Sequence, residues 1–360
     1  MELSLDAKRQ ADSIMDGIAA EGIGKFPDLN LAESLSRITG VQIDTDGPSG
    51  ERREGQIAVR GLPSRFARTQ VNGQTMATPN FNGGFTFGAF ESDVISAVNV
   101  VKTPTAKYDE GGLSGIVDIR TMRPLDLKQP VLTFSMEADY EELSQDVVPN
   151  MAMTWGNQFR EGTLGVFASL KWSDQSFRTD SARINGYDDE DTDGDGLADL
   201  YTPNEARFNS RQNDGERITF AGGVEFDAND EIRIGVTSLY STYALANRLD
   251  QLRVQDPEDI VASNLQDGGI FGDTYSEAYF VNPEIDTESR LFDDEFFSWG
   301  LTGDIEWARD DWTVTGVAHI SKAGYDRWGV QSRRNIRDRV GNGIFASIDT
   351  GAVSYTHLTL

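Results

Sequence analysis

From Leu132 onward the chain repeats one pattern: long runs in which alternate residues are apolar and the residues between them are polar. Leu132, Phe134, Met136, Ala138 and Tyr140 form one run, and Met151, Met153 and Trp155 the next. Leu164, Val166, Ala168, Leu170 and Trp172 follow, then Ile218, Phe220, Gly222, Val224 and Phe226, then Ile232, Ile234 and Val236. The last two are Phe297, Trp299, Leu301, Gly303, Ile305 and Trp307, and Trp312, Val314, Gly316, Ala318 and Ile320. Successive side chains on a strand point to opposite faces, so a period of two means strands with one apolar face. Several alternations last about nine to eleven residues, the length a tilted strand needs to cross a bilayer, against about five or six for a typical globular strand. The opposite faces carry Thr163, Ser169, Lys171, Thr219, Glu225, Arg233, Thr302, Asp304, Glu306, Thr313, Thr315 and His319, which suit a wet lumen. Trp155, Trp172, Trp307 and Trp312 stand at the ends of runs, where an interfacial girdle of aromatics would sit.

The connections alternate in length. Those at 156–162, 228–230 and 309–311 are short, and those at 173–216 and 249–295 are long. Short turns on one side and long loops on the other are the habit of outer-membrane barrels, and structureless loops of such length are uncommon in a soluble sandwich. With the N-terminal region on the periplasmic side, every short turn is expected there. No run of about 18 apolar residues exists, which excludes a spanning helix but not a spanning barrel; the mean hydropathy of −0.43 is compatible with one.

Charge and composition remove other classes. Lys and Arg number 32 against 59 Asp and Glu, giving a formal charge of −27. Nucleic acid is not an expected partner, because phosphate binding needs a basic stripe. The absence of cysteine removes disulfides, thiolate metal sites and thiol nucleophiles. The only histidines are His319 and His357, so no histidine-based centre lies in the first three hundred residues.

The first 126 residues read differently. Ala7, Ile14 and Ile18 have helical spacing, as do Leu31, Leu35 and Ile38, which Gly40 ends. Asn30 and Glu33 stand at capping-box positions for the second helix. Short strand-like pieces, QIAVRG, RTQVNG, VISAVNVVKT and GIVDIRT, separated by glycine turns, fill the stretch to Pro124. The expected organisation is a small α+β domain over 1–126, an antiparallel barrel region over 127–350, and a tail of uncertain origin over 351–360.

Three stretches carry a resemblance. AKRQADSIMDGIAAEGIGKFPDLNLAESLSRITGVQI at 7–43 is followed by ERREGQIAVRGLPSRFARTQVNG at 51–73 and ESDVISAVNVVKTPTAKYDEGGLSGIVDIRTMRP at 91–124. Each piece alone is ordinary, but the ordered set resembles the plug domain of TonB-dependent outer-membrane receptors. It is most similar to the branch found in Caulobacter- and Xanthomonas-like bacteria, many of whose members take up carbohydrates. The resemblance implies a plug threaded into a transmembrane antiparallel barrel of about 22 strands. About eight strand candidates follow Pro130, and neither an export signal nor the family's TonB box is visible, so the expectation is an N-terminal fragment, plug and first part of the barrel, truncated at both ends. Its open sheet edges would not insert stably alone.

What the resemblance implies for function is receptor-mediated import at the bacterial outer membrane, without bond chemistry and therefore not as an enzyme. The implied partners are TonB with its inner-membrane energising complex, outer-membrane lipid, and a small-molecule or oligosaccharide substrate. An apical loop is implied within 74–90, where Asn80, Phe81, Asn82, Phe85, Phe87 and Phe90 combine aromatic faces with amide donors suited to sugar rings. The alternative for some of these phenylalanines is plain core packing. Arg60 in VRG and Arg120 in DIRT are candidate plug–barrel contacts toward lumen acids such as Glu225 or Asp304. No cofactor is required. In DTDGDGLADLYT, Asp191, Asp193, Asp195, the carbonyl of Leu197 and Asp199 match the first part of a Ca²⁺ loop, although position twelve is Thr202 rather than a closing acid. Two alternatives stay open: a ferric-siderophore or other nutrient receptor, and a calcium-stabilised extracellular β-rich adhesive protein.

Overall fold

The computed structural model describes residues 13–19, 31–43, 56–79, 84–85, 95–106, 108, 110–190, 195–197, 200–256, 259–266, 273–336 and 345–349. In the N-terminal region the elements are β1 (Met15–Ala19), helix α1 (Leu31–Ser36), β2 (Val41–Ile43), β3 (Ile57–Val59), β4 (Ala67–Val71), β5 (Gln74–Thr75), β6 (Ala97–Val101) and β7 (Gly115–Arg120). A mixed sheet runs β1-β6-β7-β4-β5, with β4 and β7 parallel, while β2 and β3 pair apart. The expected second helix is α1: Leu31, Leu35 and Ile38 pack into a core with Val98, Val100, Val117 and Ile119. Gly40, at φ +78°, closes it in the left-handed region where other residues are strained.

The first expected helix is instead strand β1 over its described part. It lies antiparallel on β6 with Met15 opposite Val101 and Ile18 opposite Val98. The Ile14 N–H donates to Thr103 Oγ1 at 2.8 Å, and Lys102 pairs with Asp16. A short helix with two apolar residues is marginal alone, whereas an edge strand gains the β6 ladder. Ala7, Asn30 and the helical placement before residue 13 lie outside the described residues.

The long-stranded region begins after Pro130 with β8 (Val131–Glu141), β9 (Asp146–Phe159), β10 (Leu164–Ile184), β11 (Tyr187–Glu190), β12 (Leu200–Pro203) and β13 (Glu205–Asn229). It continues with β14 (Ile232–Gln255), β15 (Asp259–Gln266), β16 (Asp273–Val281), β17 (Glu284–Arg309), β18 (Trp312–Ile336) and β19 (Phe345–Asp349). Seven form a sheet in the order β18-β17-β14-β13-β10-β9-β8, so long strands adjacent in sequence are neighbours in space. The five short strands form a second sheet. The fold is thus an α+β domain followed by part of an antiparallel barrel-type sheet.

Two expectations about connections are corrected. The stretches 173–216 and 249–295 are largely strand: β10 and β14 extend to Ile184 and Gln255, and β13 and β17 begin at Glu205 and Glu284. The alternation had faded there because both faces carry polar residues. One short turn, 142–145, also lies at the opposite end from the others, since Val131 pairs with Gly156 and Glu141 with Asp146.

Two compact units divide the chain: Met1–Ser176 with Asp214–Leu245 and Asp294–Arg327, and Phe177–Asn213 with Ala246–Asp293 and Trp328–Leu360. Within the first unit, burial is inverted relative to a water-soluble fold. On β10, an interior strand, Leu170 is 51% exposed while the neighbouring Lys171 is 6% exposed. Ile218, Val224, Ile234, Val236, Leu301 and Ile305 are exposed on the other interior strands, and Ser169, Thr219, Glu225, Ser241, Ser298 and Thr302 are buried. Scattered exposed leucines are ordinary; a contiguous apolar face backed by buried polar side chains is not.

Candidate functional site

The N-terminal domain meets the polar face of the long sheet along a seam built on residues 123–127. Pro124 opens a 3-10 turn, Pro124–Asp126, and has no N–H of its own, so Leu125 offers the first free backbone donor. That N–H donates to Glu225 Oε2 at 3.0 Å, while the Arg123 Nε–H donates to Glu225 Oε1 at 2.6 Å. Arg123 also lies 3.9 Å from Asp304. Arg233 reaches Asp126 at 3.1 Å and Asp227 at 2.8 Å. On the other side of the turn the Gln158 amide donates to the carbonyls of Pro124, Leu125 and Leu127 at 3.1, 2.8 and 2.9 Å. Gly165 allows this approach: a Cβ there would stand 2.8 Å from Leu125 N and from the Pro124 carbonyl carbon.

A second contact involves residues 76–77. The Ala77 N–H donates to Ser321 Oγ at 3.1 Å, and Ser298 Oγ–H donates to the Ala77 carbonyl at 3.0 Å. A Cβ on Gly300 would stand 2.9 Å from Met76 Sδ and 3.2 Å from His319 Cε1, so the thioether occupies space a side chain would fill. Phe167 and Ala221 from the long sheet join the core cluster of the N-terminal domain.

Neither arginine expected at this seam reaches the acids. Arg60 donates to the Lys102 carbonyl at 2.9 Å and holds φ +57°, and Arg120 pairs with Asp118 at 2.5 Å, both within the N-terminal domain. The residue on Glu225 is Arg123, three positions beyond Arg120. Asp118 is buried, and desolvation raises its pKa; Arg120 and the Gly73 N–H, which donates at 2.8 Å, oppose the shift.

In the second unit, alternate residues on neighbouring strands form a polar floor on one face. Asn185 donates to Glu205 at 3.1 Å, Arg207 pairs with Glu205 at 2.6 Å, and Gln251 donates to Asn209 at 2.7 Å. Asp286 receives Arg253 at 2.5 Å and also Arg333; Glu284 receives Gln255 at 3.2 Å and also Asn335. Glu288 receives Arg290 at 2.5 Å and also Gln331. Intervening positions, among them Arg178, Asp180, Ser210, Asp250, Leu252 and Ser289, line an open groove of about 880 Å³. Such an array offers in-plane amide, guanidinium and carboxylate groups, donors and acceptors mixed, to a ligand rich in hydroxyls. The reading from sequence missed this floor, whose signal was alternation of charge and amide rather than of apolar residues.

Of the apical loop, Asn80, Phe81, Asn82, Phe87 and Phe90 lie outside the described residues. Phe85 is described and buried in the core of the N-terminal domain, as the core-packing alternative has it. Asp191, Asp193 and Asp199 lie outside as well. Asp195 and Leu197 are exposed, with the Leu197 N–H donating to Asp195 Oδ1 at 2.8 Å. Among the described residues no three His, Cys, Asp or Glu group to hold a metal.

Residues 7–116 match the TonB-dependent Receptor Plug Domain family. No curated protein matches. Among solved structures, a variant of the ferric enterobactin receptor PfeA from Pseudomonas aeruginosa is similar at 12% identity and TM-score 0.40, over 95% of this chain and 60% of that one. The unliganded ferric citrate transporter FecA gives 11% and 0.41, with 95% and 60% covered. The alcaligin outer-membrane receptor FauA from Bordetella pertussis gives 14% and 0.39, with 94% and 59% covered. The chain therefore spans about three fifths of the length of these structures, and at such scores nothing about cargo passes from them to this chain.

Proposed function

We propose that this chain, which carries a plug domain, belongs to a TonB-dependent import receptor of the bacterial outer membrane. The observation that carries the reading is the plug domain seated by residues 76–77 and 123–127 on the buried polar face of a long-stranded sheet whose other face is apolar and exposed. An apolar exposed face suits lipid, and closed barrels of antiparallel strands satisfy their backbone groups there. The hydrogen bonds and ion pairs of this seam separate at modest cost, because each group regains water partners, while the apolar contacts of Met76, Phe167 and Ala221 add to what holds the plug in place. Energy delivered through TonB would move the plug, and no bond is made or broken in the cargo.

The cargo proposed is an oligosaccharide. The floor around Asp286, Arg253, Glu205 and Gln251 supports this, since hydroxyls donate to carboxylates and accept from amides and guanidinium groups on one plane. Titration calorimetry on the purified receptor with a panel of oligosaccharides and ferric siderophores tests it. Heat with a neutral or acidic glycan and none with the iron chelates is the expected result; the reverse assigns the cargo to iron uptake and overturns the carbohydrate reading.

A further inference from the structure

The groove of the second unit faces away from the polar floor. It takes Asp180, Ser210, Asp250, Ser289 and Arg334 from β10, β13, β14, β17 and β18. On each strand these stand an even number of residues from an exposed apolar position: Leu170, Val224, Val236, Leu301 and Ile320. Even spacing means the same face of a strand. No inserted residue shifts the alternation between β10 and β13. The Asp227 N–H donates to the Thr163 carbonyl at 2.8 Å at one end of the pair and the Asn185 N–H to the Glu205 carbonyl at 2.9 Å at the other, with equal lengths of chain between. The floor residues Arg253 and Asp286 stand at odd spacing from Asp250 and Ser289.

The outward face is mixed in chemistry at the groove. Phe208 and Leu252 are exposed in its lining, and exposed Leu291 and Val330 stand two residues from Ser289 and Ser332. Apolar side chains set among hydroxyls and guanidinium groups suit the layer where acyl chains give way to headgroups. Both outward carboxylates have donors in place: Asp180 accepts from Arg178 at 3.0 Å, and Asp250 from Arg248 at 3.1 Å and Ser289 at 2.6 Å. Arg334 adds a cation that makes no ion pair among the described residues. The groove also lies away from the short connections 160–162, 230–231 and 310–311, on the side that the import reading places outside the cell. We infer that it seats the phosphorylated saccharide headgroup of a glycolipid in the outer leaflet. Arg334 takes a phosphate, the serine and threonine hydroxyls take sugar hydroxyls, and Phe208 offers a face to a ring. The inference rests on the outer-membrane reading above and concerns a different face from the cargo floor.

The test uses the purified full receptor in mild detergent, with bound lipid counted by native mass spectrometry. The receptor is titrated with a lipopolysaccharide that keeps its inner phosphorylated sugars, with the same saccharide freed of its acyl chains, and with phosphatidylglycerol. The expected result is retention of the lipopolysaccharide, no displacement by phosphatidylglycerol, and binding of the freed saccharide weaker by about tenfold or more, because its acyl chains no longer lie on the apolar face. Arg334→Ala is expected to lower the affinity about fivefold, the weight of one basic side chain beside an anionic lipid. Ser332→Trp, which fills the groove from an exposed position, is expected to abolish retention, and both variants should bind cargo like the parent. Retention undiminished in both variants overturns the inference. Equal displacement by phosphatidylglycerol would assign the groove to anionic lipid in general, and equal binding of the freed saccharide would assign it to a soluble glycan; either result overturns it as well. A receptor that does not fractionate with the outer membrane defeats the import reading first, whereas an embedded receptor that retains no lipopolysaccharide defeats this inference alone.

Discussion

Replacing Arg123 by alanine takes the charged partner from a carboxylate that the seam has buried, and the cost follows from the exposures of the two groups. The Glu225 side chain is 6% exposed and keeps the Leu125 N–H as a donor; the Arg123 side chain is 45% exposed and gives up a guanidinium contact at 2.6 Å. Breaking a fully buried pair costs about 3–5 kcal/mol, and a charge-assisted hydrogen bond is worth about 1.5–3 kcal/mol. Because Arg123 is half in water, solvent replaces part of what is lost, and the expected weakening of plug seating is about 1–2 kcal/mol. The double variant Arg123→Ala, Glu225→Gln should recover part of it, since a neutral amide is cheaper to leave without a cation. Arg60→Ala should do little, because Arg60 bonds to the Lys102 carbonyl inside the plug. The assay is uptake of a large antibiotic by cells expressing equal surface amounts of each receptor, alongside thermal unfolding of the purified proteins. Equal leakage from Arg60→Ala and Arg123→Ala, or no coupling between positions 123 and 225, would refute the reasoning.

Other outcomes follow from single sites. Asp118 has a folded-state pKa raised by burial, so its contribution to plug stability is full below the ordinary carboxylate value of about 4 and is lost as pH rises through the raised value. Asp118→Asn keeps an acceptor for the Gly73 N–H and should flatten the pH dependence between those two values; a variant that is less stable at neutral pH, measured by denaturant titration, contradicts this. Gly165→Val drives a Cβ to 2.8 Å from the Leu125 nitrogen and should cost about 1–3 kcal/mol. Gly303→Val, whose Cβ meets nothing nearer than 3.9 Å, serves as the control and should unfold like the parent in the same thermal melt. Asp286→Ala leaves Arg253 and Arg333 without their shared acid and should weaken glycan binding by about tenfold in calorimetry, the loss of about one net charged hydrogen bond.

The long strands were legible where lipid and lumen impose opposite chemistry on alternate residues. Leu170 beside Lys171, or Val224 beside Glu225, states which side each faces. Beyond residue 173 that contrast ends, and β10 runs on to Ile184 through Arg178, Asp180 and Arg183 with no apolar face to mark it. Met15–Ala19 was misread for the opposite reason: its local spacing is helical, but its structure is set by a partner strand about eighty residues away. The seam was half legible. Glu225 and Asp304 stood out as acids on a polar face, yet choosing Arg123 over Arg120 needed the turn at Pro124–Asp126, whose Leu125 N–H bonds the same carboxylate as Arg123. The floor around Asp286 depends on four strands, β13, β14, β17 and β18, arriving side by side, and no short window of sequence contains it.

The central claim is that one face of the long sheet lies in lipid while the other holds the plug. It is tested most directly by nitroxide labels placed singly at cysteines introduced from 164 to 172 in the membrane-embedded receptor, with collision rates measured against oxygen and against a water-soluble nickel chelate. The account predicts a period of two, with oxygen accessibility highest at 166, 168 and 170 and low accessibility to both reagents at 167, 169 and 171. Uniform accessibility to the nickel chelate along the strand, or oxygen maxima at the odd positions, would contradict it.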